Sequence, residues 1–475
     1  MKYEMTIGIE CHVQLNTKTK LFSGVDNDDV GKEPNACVSP GNYAIPGILP
    51  VLNEQAVRHA VRAGVALGST INLKSSFDRK HYFYPDLPGG YQTTQMFAPI
   101  IGEGLVTLAN GHTVRIEHAH IEEDAGKLTH FGSYSLVDLN RAGTPLIEIV
   151  SMPDIHSAED ARMYAEELWR LMTYAGVSNG NLYHGNMRFD VNISIAPKGS
   201  KKLGTRVEIK NLNSFRSVER AADYECRRQV EALEKKEGLV QETRGWSDAT
   251  GKTTSQRSKE RAQDYRYFPE PDVPPVNLTP EFVQEIVATM PVLPNQYREA
   301  FRELGIAAET IEIIIDRRVL AERLMAVAEK STAKVAQKLA NLFGSVLVSA
   351  ENAELDLSVG QVDGLIELVE MNEAGELSST ATKQVMMELY DPKNASKSPR
   401  VLANEMNLIQ TNDTGELEEV IDEVIASSEA ASAVADIRAG EMKAIGFMVG
   451  LIMRKSGGKA NPALAKDILV KKLSK

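Results

Sequence analysis

Over residues 7–15, IGIECHVQL, apolar and polar positions alternate with the two-residue period of a strand that buries one face. Ile7, Ile9, Cys11, Val13 and Leu15 share one side, which leaves Glu10, His12 and Gln14 on the other. The period returns in MRFDVNISI, with Met187, Phe189, Val191, Ile193 and Ile195 inward and Arg188, Asp190 and Asn192 opposite. It returns again in TRVEIKNLN, where Val207 and Ile209 oppose Arg206, Glu208 and Lys210. Asp and Asn are depleted in strands because their side chains compete for backbone hydrogen bonds, so Asp190 and Asn192 are costly on a face that only meets water. The three polar faces are therefore read as functional.

A fourth stretch, TVRIEHAHIEED, begins the same way, with Val114, Ile116, His118 and His120 in phase. Strict alternation would carry Glu122 and Asp124 onto that face and Glu123 onto the other. The Ala-Gly at 125 and 126 signals a turn that can rotate the last residues, so spacing alone does not choose among the acids of HIEEDAGKLTH. Three adjacent carboxylates repel unless water or a cation compensates them. A lone histidine is more often structural than ligating, and His118 is read that way.

Strand-like runs and Gly, Pro and Asn-rich turns fill roughly the first 270 residues. FPEPDVPPVNLTPEF then packs in five prolines, and Thr279-Pro280 reads as an N-cap followed by proline at the first helical position. Beyond it apolar residues recur at three- and four-residue spacing, as in ETIEIIIDRRVLAERLMAVAEK. Ser358 and Gln361 form a candidate capping box, and the breaker-rich DPKNASKSPR marks a second boundary. The expected domains are 1–292, 293–400 and 401–475. The last splits by charge: nine acids and one arginine over 401–440, then eight Lys or Arg against two acids over 441–475, a net +6 that is either a binding surface or ordinary solvation of a helix.

A chain of 475 residues exceeds what one core usually serves. Its composition, 43% hydrophobic and 25% charged, is that of a globular protein, and its net charge of −12 argues against non-specific coating of nucleic acid. The three cysteines, Cys11, Cys37 and Cys226, form no CxxC pair, which fits a reducing cytoplasm and gives no disulfide framework or thiolate zinc site. The start, MKYEMTIGIE, lacks the pattern of a secretory signal. The longest apolar run, residues 444–453, is half of the ~20 residues a membrane span needs, so it is read as a buried helix and no membrane partner is expected.

If the polar faces meet, Glu10, His12, Glu123, Asp190 and Glu208 would ring a site for a hard cation, with Lys127, Arg188, Arg206 and Lys210 as phosphate partners. Carboxylates with several waters suit Mg²⁺ holding a nucleotide's phosphates. Neither GxxxxGKS/T nor GxGxxG occurs, so an ATP site here is neither a P-loop nor a Rossmann crevice. Two loops, FDRKHYFYPDLPGGYQTTQ and DYRYFPEPD, mix cations such as Lys80 with tyrosines such as Tyr82, a combination suited to a nucleotide or an RNA end. Any one of these tyrosines is more commonly loop packing.

IGIECHVQL, FDRKHYFYPD, YQTTQ, HIEEDAGKLTH, SLVDLNRAGTPLIEIVSMPD, RFDVNIS, EIKNLNSF, DYRYFPEPD, EMKAIGFMVG and GGKANPALAKDIL together resemble the B subunits of tRNA-dependent amidotransferases, over nearly the whole chain. The resemblance implies an α+β fold: a cradle-shaped domain around an antiparallel sheet, an all-helical domain and a small helical tail that touches tRNA. It implies an ATP- and Mg²⁺-dependent enzyme that phosphorylates the side-chain carboxylate of Glu-tRNA or Asp-tRNA. The enzyme then amidates that group with ammonia from an amidase, the A subunit, in a complex that also holds a small C subunit. Misacylated tRNA would place its acceptor end at the cradle and its body on the tail. By position, His12, Glu123 and Glu208 resemble the family's metal-binding residues, with Glu10 and Asp190 close by. Many relatives carry paired cysteines for zinc near position 37, whereas here Cys37 is followed by Val38, Ser39 and Pro40, so no zinc is expected. A different reading makes the chain a non-catalytic tRNA scaffold of the same complex.

Overall fold

The computed structural model describes residues 2–258, 265–349, 360–410, 414–457 and 460–473. The chain divides into two compact units, Met1–Asn295 and Gln296–Lys475. The second takes in both the helical region expected from 293 and the tail expected from 401.

The first unit begins with β1 (Tyr3–Gln14), β2 (Lys74–Ser75), β3 (Asp78–His81), β4 (Tyr91–Thr94), β5 (Gly104–Thr107), β6 (Thr113–Glu123), β7 (Lys127–Phe131) and β8 (Tyr134–Asp138). It continues through β9 (Pro145–Ser151), β10 (Met187–Pro197), β11 (Val207–Leu212), β12 (Glu242–Ser247) and β13 (Lys252–Ser258). Eight of these form one sheet in the order β13-β12-β11-β10-β1-β9-β6-β5. Its pairings are antiparallel apart from β11 with β12, so the sheet is the antiparallel platform of an α+β unit. β1 is central because both its edges are paired, to β10 and to β9.

Helices α1 (Glu54–Ala66), α2 (Ala158–Tyr174) and α3 (Phe215–Glu234) each begin after a polar residue whose side chain accepts a first-turn N–H: Asn53 from Gln55, Ser157 from Asp160, Ser214 from Ser217. Their apolar sides join Ile7, Ile9, Cys11 and Val13 of β1, Phe189, Val191 and Ile193 of β10, and Val207 and Ile209 of β11 in one core. Fully burying each such Val, Ile or Phe side chain stabilises the fold by about 1.5–3 kcal/mol, which is what pins each strand's phase. The polar residues between them are forced onto the opposite face.

β6 departs from simple alternation. Its pairing with β9 slips between Ile116 and His118, leaving Glu117 as an extra residue. Val114 and Ile116 are buried ahead of the slip, and Ala119 and Ile121 are buried after it. The bulge therefore moves His118, His120 and Glu122 onto the face opposite Val114 and Ile116. Beyond β6, Gly126 is required by close packing, since a Cβ there would lie 2.9 Å from the Asp138 carbonyl oxygen.

α4 (Pro280–Ala288) starts as its sequence predicts, with Thr279 accepting from the Phe282 N–H and proline in the first turn. Beyond it the described elements are all helices, from Pro294–Glu303 to Pro462–Leu473. Within the second unit, residues from Leu417 to Leu473 bury an apolar cluster of their own. The run read as a buried helix forms Ile445–Lys455, which buries Ile445, Met448, Leu451 and Ile452 but leaves Phe447 exposed. Among the described residues no helix is long and apolar enough to cross a membrane. Gln361 precedes Val362–Glu373 without a side-chain cap, and Ser358, the other half of the expected capping box, lies outside the described residues. Asp264 of the second aromatic loop lies outside them as well.

Candidate active site

Strand pairing turns local alternation into a two-dimensional array. In one row across the sheet, His120 of β6 pairs with Glu148 of β9, Glu148 with His12 of β1, and His12 with Arg188 of β10. In the next, Glu10 pairs with Asp190, while Asn192 pairs with Glu208 and Glu208 with Thr243 of β12. Residues from six strands thus share one polar face.

Two clusters of possible ligand atoms lie on that face. The first is His12, Glu122 and Glu148, and the second is Glu10, Asp190 and Glu208; within each, the donor atoms are all within 4.8 Å of one another. In the first, Nε2 of His12 lies 3.5 Å from Glu122 Oε1 and 3.8 Å from Glu148 Oε2. His120 backs both carboxylates, with Nε2 at 3.8 Å from Glu122 Oε2 and 3.3 Å from Glu148 Oε2. Burial disfavours a charged His120, yet hydrogen bonding and charge from Glu122 and Glu148 outweigh it and raise the imidazole to about 9. Burial likewise opposes ionisation of Glu148, but His120, His12 and Lys80 hold its carboxyl well below the usual range.

The second cluster is all oxygen. Asn192 donates to Glu10 Oε1 at 2.9 Å and Thr243 donates to Glu208 Oε2 at 2.7 Å, which orients the two carboxylates. Burial, together with the charges of Glu148, Glu208 and Asp190, pushes Glu10 above the usual carboxylate range. An array that penalises its own negative charge is suited to a cation. The only ammonium seen against this triad among the described residues is that of Lys210, 3.0 Å from Asp190 and 3.2 Å from Glu208.

Other expected phosphate partners distribute around this face. Lys80 packs against the Tyr265 ring at 5.1 Å; burial disfavours its charge, but Glu122, Tyr267 and Glu148 raise it overall. Tyr82 stands edge-on to Tyr265, and burial, with Asp86 and Glu122 nearby, pushes its hydroxyl up. Arg188 pairs with Asp124 at 3.0 Å, and Arg141 holds the same carboxylate. Lys127 is exposed at the start of β7, and Arg206 is exposed ahead of β11 with no ion pair among the described residues.

The expected grouping of His12, Glu123 and Glu208 is not assembled. Glu123 ends β6 on the side opposite Glu122, accepts the Thr93 N–H at 3.0 Å and lines a separate cavity of about 380 Å³. The bulge at Glu117 is the cause, since it sets the phase that reaches Glu122. His12 meets Glu122 and Glu148, whereas Glu208 belongs with Glu10 and Asp190. Sequence reasoning misses Glu148, although its signal is present: PLIEIVS is a buried-strand run interrupted by one acid. His118, read as structural, stacks on His120 with ring centroids 5.5 Å apart.

Residues 5–284 match the model of the GatB/GatE catalytic domain, and residues 324–473 match that of the GatB domain. The chain therefore belongs to the family of proteins built from a GatB-type catalytic domain. Among its relatives, the B subunit of the aspartyl/glutamyl-tRNA(Asn/Gln) amidotransferase of Persephonella marina is 43% identical over 99% of both chains. The proteins of the same name from Gloeothece citriformis and Herminiimonas arsenicoxydans are each 42% identical, covering 99% and 100% of this chain and 98% and 100% of theirs.

Proposed function

We propose that this chain is the B subunit of a tRNA-dependent amidotransferase, an ATP-dependent carbon–nitrogen ligase that phosphorylates the side-chain carboxylate of Glu-tRNA(Gln), Asp-tRNA(Asn) or both and then amidates it. The observation that carries this reading is the pair of carboxylate-rich triads side by side on one sheet face. A carboxylate is a poor acyl donor. When its oxygen takes the γ-phosphoryl group and ADP leaves, the acyl phosphate offers ammonia a good leaving group: the nitrogen bonds to the acyl carbon and inorganic phosphate departs. Such phosphoryl transfer relies mainly on positioning and electrostatics.

Glu10, Asp190 and Glu208 would hold Mg²⁺, and His12, Glu122 and Glu148 form a second place for a divalent ion. Bound there, Mg²⁺ would neutralise the nucleotide's phosphate charge. Asn192 and Thr243 orient Glu10 and Glu208, and His120 orients Glu122 and Glu148. Lys80 and Arg188 supply fixed positive charge at the rim, while Lys210 balances Asp190 and Glu208. Ammonia is assigned to an amidase partner, the A subunit, and a small C subunit would complete a cytoplasmic complex. The acceptor end of the tRNA would enter the cradle while the basic tail contacts its body.

The test is reconstitution with candidate partner subunits, ATP, glutamine and each misacylated tRNA. ATP cleavage stimulated by Glu-tRNA or Asp-tRNA, and lost in Glu10→Gln and Glu148→Gln, is the expected result. Normal turnover in both variants would remove those two carboxylates from the site, and retained tRNA binding with no Mg²⁺-dependent nucleotide binding by calorimetry would make the chain a scaffold.

A further inference from the structure

A cavity of about 900 Å³ in the first unit lies past the end of the polar row. It is lined by Gln14, which shares its side of β1 with Glu10 and His12, and by Arg141, which shares Asp124 with Arg188 beside His12. Its volume lies in the range of sites that enclose small ligands.

Three features of the wall describe a ligand. Tyr183 is 94% exposed at the lining, an aromatic face left in water with His184 edge-on to it at 5.3 Å. Lys18 and Lys127 also line the cavity, and neither forms an ion pair among the described residues. Asn16 and Asn179 line the same space, and the side-chain amide of neither is hydrogen-bonded among the described residues. An aromatic platform, amides that both donate and accept, and two ammonium groups outside any ion pair among the described residues match a base, its polar edge and one or a few phosphates. Asp26, Asp28, Asp29 and Asp138, the last across the strand pairing from Lys127, lie on the same wall and disfavour a long run of phosphates.

We propose that this cavity is an adenosine-nucleotide subsite, in which Tyr183 stacks on the base and Lys18 and Lys127 contact phosphate. The inference rests on the function proposed above, which presents adenosine from two sources: ATP and the 3′-terminal nucleotide of tRNA. The experiment measures binding to the full chain in its reconstituted complex of two probes, Mg-ATP and a short RNA ending in CCA with glutamate amide-linked to its last ribose. Tyr183→Ala and the double variant Lys18→Ala/Lys127→Ala are compared with wild type, all three side chains being exposed enough to replace without touching the core. At least a fivefold loss of affinity for ATP in both variants would assign the cavity to the cosubstrate, and the same loss for the RNA would assign it to the acceptor end; either supports the subsite. Wild type binding both probes while neither variant changes by more than twofold overturns this inference and leaves the amidotransferase reading intact. Wild type binding neither probe overturns both.

Discussion

The ammonium of Lys210 lies 3.0 Å from Oδ2 of Asp190, and at 3.2 Å it also reaches Glu208 Oε1. A lysine thus occupies the position a divalent ion would take between these carboxylates. Lys210→Met removes that competitor. It is expected to bind Mg²⁺ about fivefold more tightly without nucleotide, the ~1 kcal/mol left once solvent screens a partly exposed pair. Titration calorimetry checks this, and unchanged or weaker Mg²⁺ binding would show that Lys210 does not compete.

Glu122 and Glu123 are neighbours in sequence on opposite sides of β6. Glu148→Gln and Glu122→Gln should each weaken divalent-ion binding by about tenfold or more, the scale seen when ligands or their orienting partners are lost. Glu123→Gln should leave that affinity unchanged. Equal losses in all three would mean that Glu123 shares the ion with His12 after all.

Lys20 gives a stability signature in alkali. Its buried ammonium donates to the Cys37 carbonyl at 2.6 Å and the Ala142 carbonyl at 2.7 Å, and burial lowers its proton affinity to about 8. Between pH 8 and the ordinary lysine value near ~10.4 the unfolded chain holds more protons than the folded one. Stability from this residue therefore rises with pH through that window, and below it the buried charge is a constant cost. Urea denaturation of wild type and Lys20→Met at a series of pH values should show wild type gaining on the variant above pH 8. A constant gap would contradict the lowered affinity.

Arg79, on β3, clamps the second aromatic loop through Glu270. Its Nε and Nη2 meet Glu270 at 2.6 and 2.8 Å, and its guanidinium lies 4.2 Å from the Tyr91 ring centroid. Glu270 is buried, so Arg79→Ala strands a carboxylate and should cost about 3–5 kcal/mol in denaturant unfolding. Arg79→Leu combined with Glu270→Leu should recover most of that loss. A double variant no more stable than Arg79→Ala would mean that the pair contributes specific stability beyond charge balance.

Much of this site is legible in sequence because strand alternation is a local property. Glu10, His12, Asp190, Asn192, Glu208 and Lys210 can be assigned to polar faces from the spacing of Ile, Val and Phe around them. Glu148 leaves only a faint signal, one acid in a buried-strand run, since a strand buried on nearly every position shows little alternation to read. Among the acids of HIEEDAGKLTH the Ala-Gly turn at 125 and 126 leaves the choice open, and it was the family resemblance that favoured Glu123. The residue that sets the phase is Glu117, an extra residue visible only against the pairing with β9.

The amino-acid sequence by itself determined which residues lie on the wet side of each strand, because burying an apolar residue at every second position leaves each strand one stable orientation. Only the tertiary structure decided which of those residues meet. That outcome depends on strand order, register and a single bulge, which bring residues more than a hundred positions apart into one row, and no local periodicity records them.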